Sequence, residues 1–145
     1  MTKKPQSGMR SSCPICVALE RVGDAWSLLV VRGLMLEGCQ SFKDLLGAEE
    51  GIASNILSDR LQRLEGAEIV QKLRDPGDAR RYIYRLTEKG IDLAPVLVEM
   101  IVWAAKHEKT KASAAFIRQL TKNRDEFIAN IRNQWKAACR GLPAA

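Results

Sequence analysis

The chain has 145 residues, of which 46% are hydrophobic and 28% charged, and its formal net charge is +6. These values fit one globular domain with a real core, and they exclude a disordered chain or two ordinary domains. The basic excess favours a polyanionic partner such as nucleic acid. Residues 1–12 are polar and basic, which predicts a disordered tail without a secretory signal. No apolar stretch is long enough to cross a bilayer, so we expect a cytoplasmic protein with no membrane partner.

The first part of the chain predicts two helices. Pro14 suits the first turn of a helix, and Gly23 ends it. Asp24 is a good N-cap for a second helix from Ala25 to about Leu36. Spacings of three and four residues predict its inner face, which consists of Trp26, Leu29, Val30, Gly33 and Leu34.

The next two predicted helices are joined by a short turn. Ser41 followed by Asp44 resembles a capping box and starts a short helix, and residues 47–51 form the turn. A further helix runs from about Ala53 to Glu65. It buries Leu57, Leu61 and Leu64 and turns outward Asn55, Ser58, Asp59, Gln62 and Arg63. This order predicts a helix-turn-helix, whose second helix lies in the major groove of DNA. Any solvated helix face has a similar composition, so the face alone does not establish DNA binding.

A two-residue period then predicts a β-hairpin with strands over residues 69–74 and 80–87. The residues between them include Pro76 and Gly77, which favour a type II turn with a positive φ at Gly77. Basic side chains flank the tip and lie along the arms, namely Arg74, Arg80, Arg81, Lys72 and Arg85. Such a ribbon can reach a minor groove of DNA and its flanking phosphates. The alternative is that these charges only keep an exposed strand edge from pairing with another chain and aggregating.

The C-terminal part predicts two longer helices. The first starts at residues 87–88, and Pro95 either kinks it or lies in its first turn. It is apolar on more than one face, which predicts a dimer interface that includes Val98, Ile101, Val102 and Trp103, together with the first and last helices. A polar break at residues 106–111 precedes a last helix over 113–138, whose stripe is Ile117, Leu120, Phe127, Ile131 and Trp135.

Cys13 and Cys16 form a C-x-x-C at the start of the first helix. A zinc site needs two more ligands, and only His107 and the isolated Cys39 and Cys139 are available, so we expect no metal and no cofactor. Two interpretations stay open for Cys13. It is a reactive thiolate at a helix N-terminus, with Cys16 as a second redox candidate, or it packs as a small apolar residue at a dimer contact.

Several segments together resemble the HxlR-type winged-helix regulators of bacteria, which are relatives of the MarR group. The resemblance covers about Cys13 to His107 and is carried by Cys13-Pro14 and by residues 23–29, 42–45, 51–61 and 84–90. It implies a homodimer on an inverted-repeat operator. It also implies a winged-helix DNA-binding domain over 13–107 and a C-terminal helical extension over 108–145, which we expect to serve dimerisation.

Carried over by position, the resemblance implies that Ser54, Asn55, Ser58 and Arg60 face DNA and that Arg80 and Arg81 serve the wing. Arg60 lies near the flank of the buried stripe, so its role is a phosphate contact or a structural bridge. Some family members sense oxidants or electrophiles through a cysteine at the position of Cys13. Ala53 departs from the serine common in the family, and the wing tip is more similar to that of the MarR group.

We therefore predict a mainly α fold with a small β-hairpin, a winged helix-turn-helix with additional N- and C-terminal dimerisation helices. The predicted function is sequence-specific transcriptional regulation on double-stranded DNA, and not catalysis. The predicted DNA-binding residues are Ser54, Asn55, Ser58, Arg60, Gln62, Arg63, Arg74, Arg80 and Arg81. The alternative is a winged-helix protein-interaction module without DNA binding. A third interpretation, compatible with the first, adds a small-molecule effector bound between the dimerisation helices and the core.

Overall fold

The computed structural model describes residues 8–141. Residues 1–7 of the tail predicted over 1–12 lie outside this range, and residues 8–12 contain neither helix nor strand. Within residues 8–141, no helix is long and apolar enough to span a membrane.

Helices and one two-stranded antiparallel hairpin follow each other as the sequence predicts. The elements are α1 (Pro14–Val22), α2 (Ala25–Leu36), α3 (Phe42–Leu46), α4 (Ser54–Gly66), β1 (Val70–Asp75), β2 (Asp78–Leu86), α5 (Glu88–Ile91), α6 (Ala94–His107), α7 (Ala114–Lys122) and α8 (Arg124–Arg140). The mainly α winged helix-turn-helix fold is thus confirmed.

Side-chain caps fix where four of these helices begin, and at α7 the cap is the Ser113 hydroxyl, which accepts from the N–H of Phe116. The Asp24 carboxylate accepts a hydrogen bond from the backbone N–H of Ser27 at the start of α2. Ser41 and Asp44 make a complete capping box at α3, in which each side chain accepts from the other's backbone N–H. The Thr87 hydroxyl accepts from the N–H of Gly90 at the start of α5. These caps satisfy N–H groups that the first helical turn leaves unpaired.

The core forms around α2 and α4. The predicted stripe of α4 is confirmed, because Leu57, Leu61 and Leu64 are all buried. In α2 the burial follows the predicted face only in part. Val30 and Gly33 are buried, whereas Trp26, Leu29 and Leu34 are half-buried, and Ser27 and Val31 outside that face are buried as well. The reason is that α2 is surrounded, since α1, α4, β2 and α8 all pack against it.

The hairpin turn differs from the prediction. The glycines with positive φ in the described chain do not include Gly77, so the turn is not type II. Instead, the Asp75 carboxylate accepts a hydrogen bond from the Gly77 N–H at 2.8 Å. A side chain that bonds the backbone two residues on can organise a turn without a left-handed residue. The strand register also shifts between Arg74 and Asp75.

Each of the two predicted C-terminal helices is broken in two. The first divides into α5 and α6, and Pro95 lies in the first turn of α6, which is one of the two expected placements. Proline has no N–H to continue the hydrogen bonds of α5. The second divides into α7 and α8 at Asn123, whose φ of −120° is not helical. The break lets Leu120 and Ile131 both be buried.

The C-terminal segment packs on the winged helix of its own chain. Ile131 joins the main core, with Phe127 and Trp135 packed against it. The indole N–H of Trp135 donates a 2.8 Å hydrogen bond to the carbonyl of Leu86 at the end of β2. The segment therefore covers the core where the wing meets it.

Candidate nucleic-acid interface

The exposed face of α4 carries short polar side chains. The buried leucines fix the rotation of the helix, and Ser54, Asn55, Ser58, Gln62 and Arg63 are exposed. Its N-cap is Ala53, whose side chain cannot accept a hydrogen bond, so the first N–H groups of α4 receive no side-chain cap. Hydroxyl, amide and guanidinium groups on such a face suit base edges, and uncapped N–H groups suit a phosphate.

Arg60 is on α4 but belongs to an ion-pair network. Its Nε lies 2.8 Å from Asp24 Oδ1, and its Nη1 lies 2.5 Å from Asp59 Oδ2. Burial opposes ionisation of Asp24, but hydrogen bonds from Ser27 and Arg60 outweigh it and lower the pKa of Asp24 to about 2. Of the two roles predicted for Arg60, the geometry supports the structural bridge, because this ion pair ties α4 to the cap of α2.

The hairpin presents arginines around its tip. Arg80 and Arg81 are exposed, and the Arg80 side chain makes a long, 3.5 Å contact with Asp78. Arg74 reaches across the hairpin, where its Nη1 donates a 2.9 Å hydrogen bond to the carbonyl of Ala79. The tip therefore offers cations whose charge is only partly neutralised, on a ribbon held by backbone pairing.

An aromatic platform on the wing was not predicted. Tyr82 pairs with Arg74 across the strands, and Lys72 lies on the same face of β1. The Lys72 ammonium is 4.3 Å from the centre of the Tyr82 ring, and the Arg74 guanidinium is 4.2 Å from it. Cation–π attraction holds both charges on one face of the wing. The alternation of residues in β2 was visible in the sequence, but the partner strand's register was needed to find this cluster.

A second unpredicted contact stabilises the turn between α3 and α4. Arg32 of α2 binds Glu50 through two hydrogen bonds, of 2.6 and 3.0 Å. The hydrogen bond from Arg32 lowers the pKa of Glu50 to about 2. Lys111, in the segment before α7, lies 2.6 Å from Glu49 of the same turn. These pairs tie the turn between α3 and α4 to α2 and to the segment before α7.

The predicted dimer residues are divided by the structure. Val98 is only 1% exposed, so it belongs to the packing within the chain and its prediction as partner surface is wrong. Ile101 and Val102 are partly buried, and Trp103 is 62% exposed. The apolar surface of α6 instead runs along Val96, Met100 and Trp103. Helix α1 adds a second exposed pair, Ile15 and Leu19.

Cys13 is an exposed free thiol at the N-cap of α1, and Cys16 is half-buried one turn on. Backbone N–H groups of Cys16 and Ile15 lower the pKa of Cys13, because the first turn of a helix stabilises a thiolate. Arg10, which the sequence places nearby, lies 3.3 Å from Glu20. Within residues 8–141, no three His, Cys, Asp or Glu side chains come together as a metal site.

Comparison with known proteins agrees with this geometry. The family described as HxlR-like helix-turn-helix matches residues 21–112. The chain is 37% identical over 87 residues to the HTH-type transcriptional regulator YodB of Bacillus subtilis. This alignment covers 60% of this chain and 77% of YodB. The reduced form of YodB is 35% identical, with a TM-score of 0.56, over 66% of this chain and 93% of YodB. YodB is also solved in diamide-treated and quinone-bound forms. The crystal structure of PA1607 is 31% identical, with a TM-score of 0.65, over 72% of each chain.

Proposed function

Because this chain belongs to the HxlR-like helix-turn-helix family of transcriptional regulators, we propose that it binds an inverted-repeat operator as a homodimer. In this proposal α4 enters the major groove with Ser54, Asn55, Ser58, Gln62 and Arg63. The wing contacts flanking phosphates or the minor groove through Arg74, Arg80 and Arg81. The observation that carries the proposal is that α4 exposes a polar face and the hairpin exposes cations, on two elements that pack against each other.

The two surfaces serve different tasks. Phosphate contacts give affinity without reading sequence, whereas contacts to base edges give specificity. A winged helix that binds only proteins needs no such cationic wing, so the charges on the hairpin favour DNA. Arg60 positions the DNA-binding helix indirectly, because its ion pair with Asp24 holds α4 against α2.

DNA selected from a random pool by the protein tests this proposal. We expect an inverted repeat whose half-sites lie about one helical turn, ~34 Å, apart. Replacing Arg80 and Arg81 with Ala should weaken binding to all sequences and flatten its salt dependence by roughly one log–log unit per lost phosphate contact. Replacing Asn55 or Ser58 with Ala should change the preferred bases instead. Unchanged affinity in the double arginine variant would refute the role given to the wing.

Dimerisation is proposed through the exposed apolar side chains of α1 and α6, with Ile101 and Val102 beside them. Val96, Met100 and Trp103 follow each other at helical spacing, so they form one stripe. We place the boundary of the DNA-binding domain at the end of α6 and assign residues 108–145 to an extension that braces this stripe. Trp103→Glu should give a monomer in sedimentation at micromolar concentration, whereas Lys109→Glu, with a new carboxylate outside the stripe, should remain a dimer. A parent protein that sediments as a monomer would refute the homodimer.

We further propose that Cys13 makes operator binding respond to thiol-reactive compounds. The relative YodB is solved in reduced, diamide-treated and quinone-bound forms. A quinone can add to the exposed Cys13 thiol. The S–C bond forms and the thiol proton passes to the reduced ring, so no further reactant is needed. Since α1 also carries the apolar pair Ile15 and Leu19, such an adduct would disturb the proposed dimer contact.

Two cysteine variants test this role. Operator binding by Cys13→Ser should be insensitive to a quinone or a mild oxidant, whereas Cys16→Ser, with its half-buried position, should respond like the parent. Mass spectrometry should find the adduct on Cys13 in the parent protein. If Cys13→Ser loses operator binding on treatment just as the parent does, Cys13 is not the sensor.

A further inference from the structure

A cleft of about 240 Å³ lies between the wing and the C-terminal helix. Its walls are the end of α2, the segment that enters α3, strand β2 and helix α8. An engineered apolar cavity of about 150 Å³ holds a benzene molecule. The cleft is therefore large enough for a two-ring aromatic compound, and it is separate from the exposed face of α4 and from Cys13.

Most of the lining is apolar. The walls include Leu34 and Met35 from α2, and Ile131 and Trp135 from α8. Trp135 is fixed by its hydrogen bond to the carbonyl of Leu86, so its ring forms a rigid wall. Such a surface favours a flat, apolar ligand, whose orientation is then fixed by the few polar groups in the wall.

Among residues 8–141, Arg85 is the one charged residue that lines the cleft, and no carboxylate of this range lines it. Arg85 Nε donates to Gln71 Oε1 at 3.2 Å, but Nη1 is shielded from solvent and has no hydrogen-bond partner in the same range. A guanidinium N–H left unpaired out of water is costly, and a carboxylate is the group that pairs with it best.

Two acidic side chains near the cleft are partly neutralised by their own partners. Glu37 is 3.0 Å from Arg32 Nε, and Asp44 accepts hydrogen bonds from the backbone N–H groups of Gln40 and Ser41. Burial, together with these two carboxylates, raises the pKa of the Cys39 thiol, which also lines the cleft.

We propose that this cleft binds a small aromatic carboxylate, with the ring between α2 and α8 and the carboxylate on the Arg85 guanidinium. The ligand carboxylate pairs with the guanidinium when the Arg85 side chain turns its shielded Nη1 towards the cleft. The apolar end of the ligand covers the side chains of Ile131 and Trp135. Gln134, which also lines the cleft, is a second polar group within the same wall.

Calorimetric titration of the protein alone, without DNA, tests the proposal. The probes are naphthoate and its neutral isostere naphthamide. We expect naphthoate to bind at least tenfold more tightly than naphthamide. Arg85→Met should weaken naphthoate binding about tenfold or more, as expected for the loss of a hydrogen bond to a charged group, and should leave naphthamide binding unchanged. Absence of naphthoate binding, or equal binding of the two probes, would overturn the proposal.

A second pair of variants keeps the test decisive if Arg85→Met does not fold. Ala137 and Ala138 are neighbours on α8 and both are exposed, but only Ala138 lines the cleft. Ala138→Trp should fill the cleft and abolish naphthoate binding, and Ala137→Trp should bind like the parent. Retained binding in Ala138→Trp would place the naphthoate elsewhere and refute the site.

Discussion

The two roles predicted for Arg60 can be separated by replacing it with Met, which keeps the length of the side chain and removes the charge. Arg60 binds Asp24 at 2.8 Å and is one of several groups that lower the pKa of Asp24 from 3.8 to about 2. This change corresponds to about 2.5 kcal/mol in favour of the ionised carboxylate. Because Asp24 is 38% exposed and Ser27 shares the effect, solvent screening reduces the part due to Arg60, and we expect a stability loss of about 1 kcal/mol.

The effect should depend on pH with a definite sign. The pKa of Asp24 is lower in the folded state, so its contribution is fully present above pH 3.8 and is lost as the pH falls towards about 2. Urea unfolding should therefore show Arg60→Met less stable than the parent at pH 7, with a difference that shrinks below about pH 4. A difference that persists unchanged at low pH would refute the assignment to Asp24.

Operator binding supplies the second readout, with Arg63→Met as the matched control. The side chain of Arg63 is 67% exposed and contacts Asp59 one turn away. Arg63→Met should change stability by less than about 0.5 kcal/mol but reduce the salt slope of DNA binding by roughly one unit. Arg60→Met should leave the slope unchanged. If Arg60→Met is as stable as the parent and loses one unit of slope, Arg60 contacts a phosphate.

Three further predictions follow from single contacts. Tyr82→Ala should weaken DNA binding about fivefold, because two cations lose their platform, whereas Tyr82→Phe should bind like the parent in a fluorescence anisotropy assay. Gly90→Ala should lower stability by more than about 2 kcal/mol in urea unfolding, because its Cβ would lie 2.2 Å from the carbonyl oxygen of Ile69. Gly66→Ala, where a Cβ meets nothing within 4 Å, should be neutral or slightly stabilising and serves as its control. Trp135→Phe should cost more than about 1 kcal/mol by thermal unfolding, since it removes both the indole hydrogen bond to Leu86 and part of a ring that packs on the core.

The sequence by itself determined the elements whose signals are local. Asp24 and the Ser41–Asp44 pair marked helix starts, because a cap needs only a side chain and a backbone N–H three residues on. Leu57 and its partners marked the buried side of α4, because helical spacing alone sets which residues share a face. These signals predicted the helix-turn-helix and the outward polar face of α4. The wing was predicted from the two-residue period of its strands.

The tertiary structure decided every feature that depends on residues distant in the chain. Arg60 meets Asp24 across 36 positions, and Trp135 meets the wing across 49. The sequence predicts Val98 as partner surface on a helix that is apolar on more than one face, and only the packing of the other helices showed that it is covered within its own chain. Spacing along one helix fixes which side chains share a face. What that face meets depends on how the whole chain packs, which is why the Arg60 bridge, the Tyr82 platform and the cleft beside Arg85 emerged only from the folded structure.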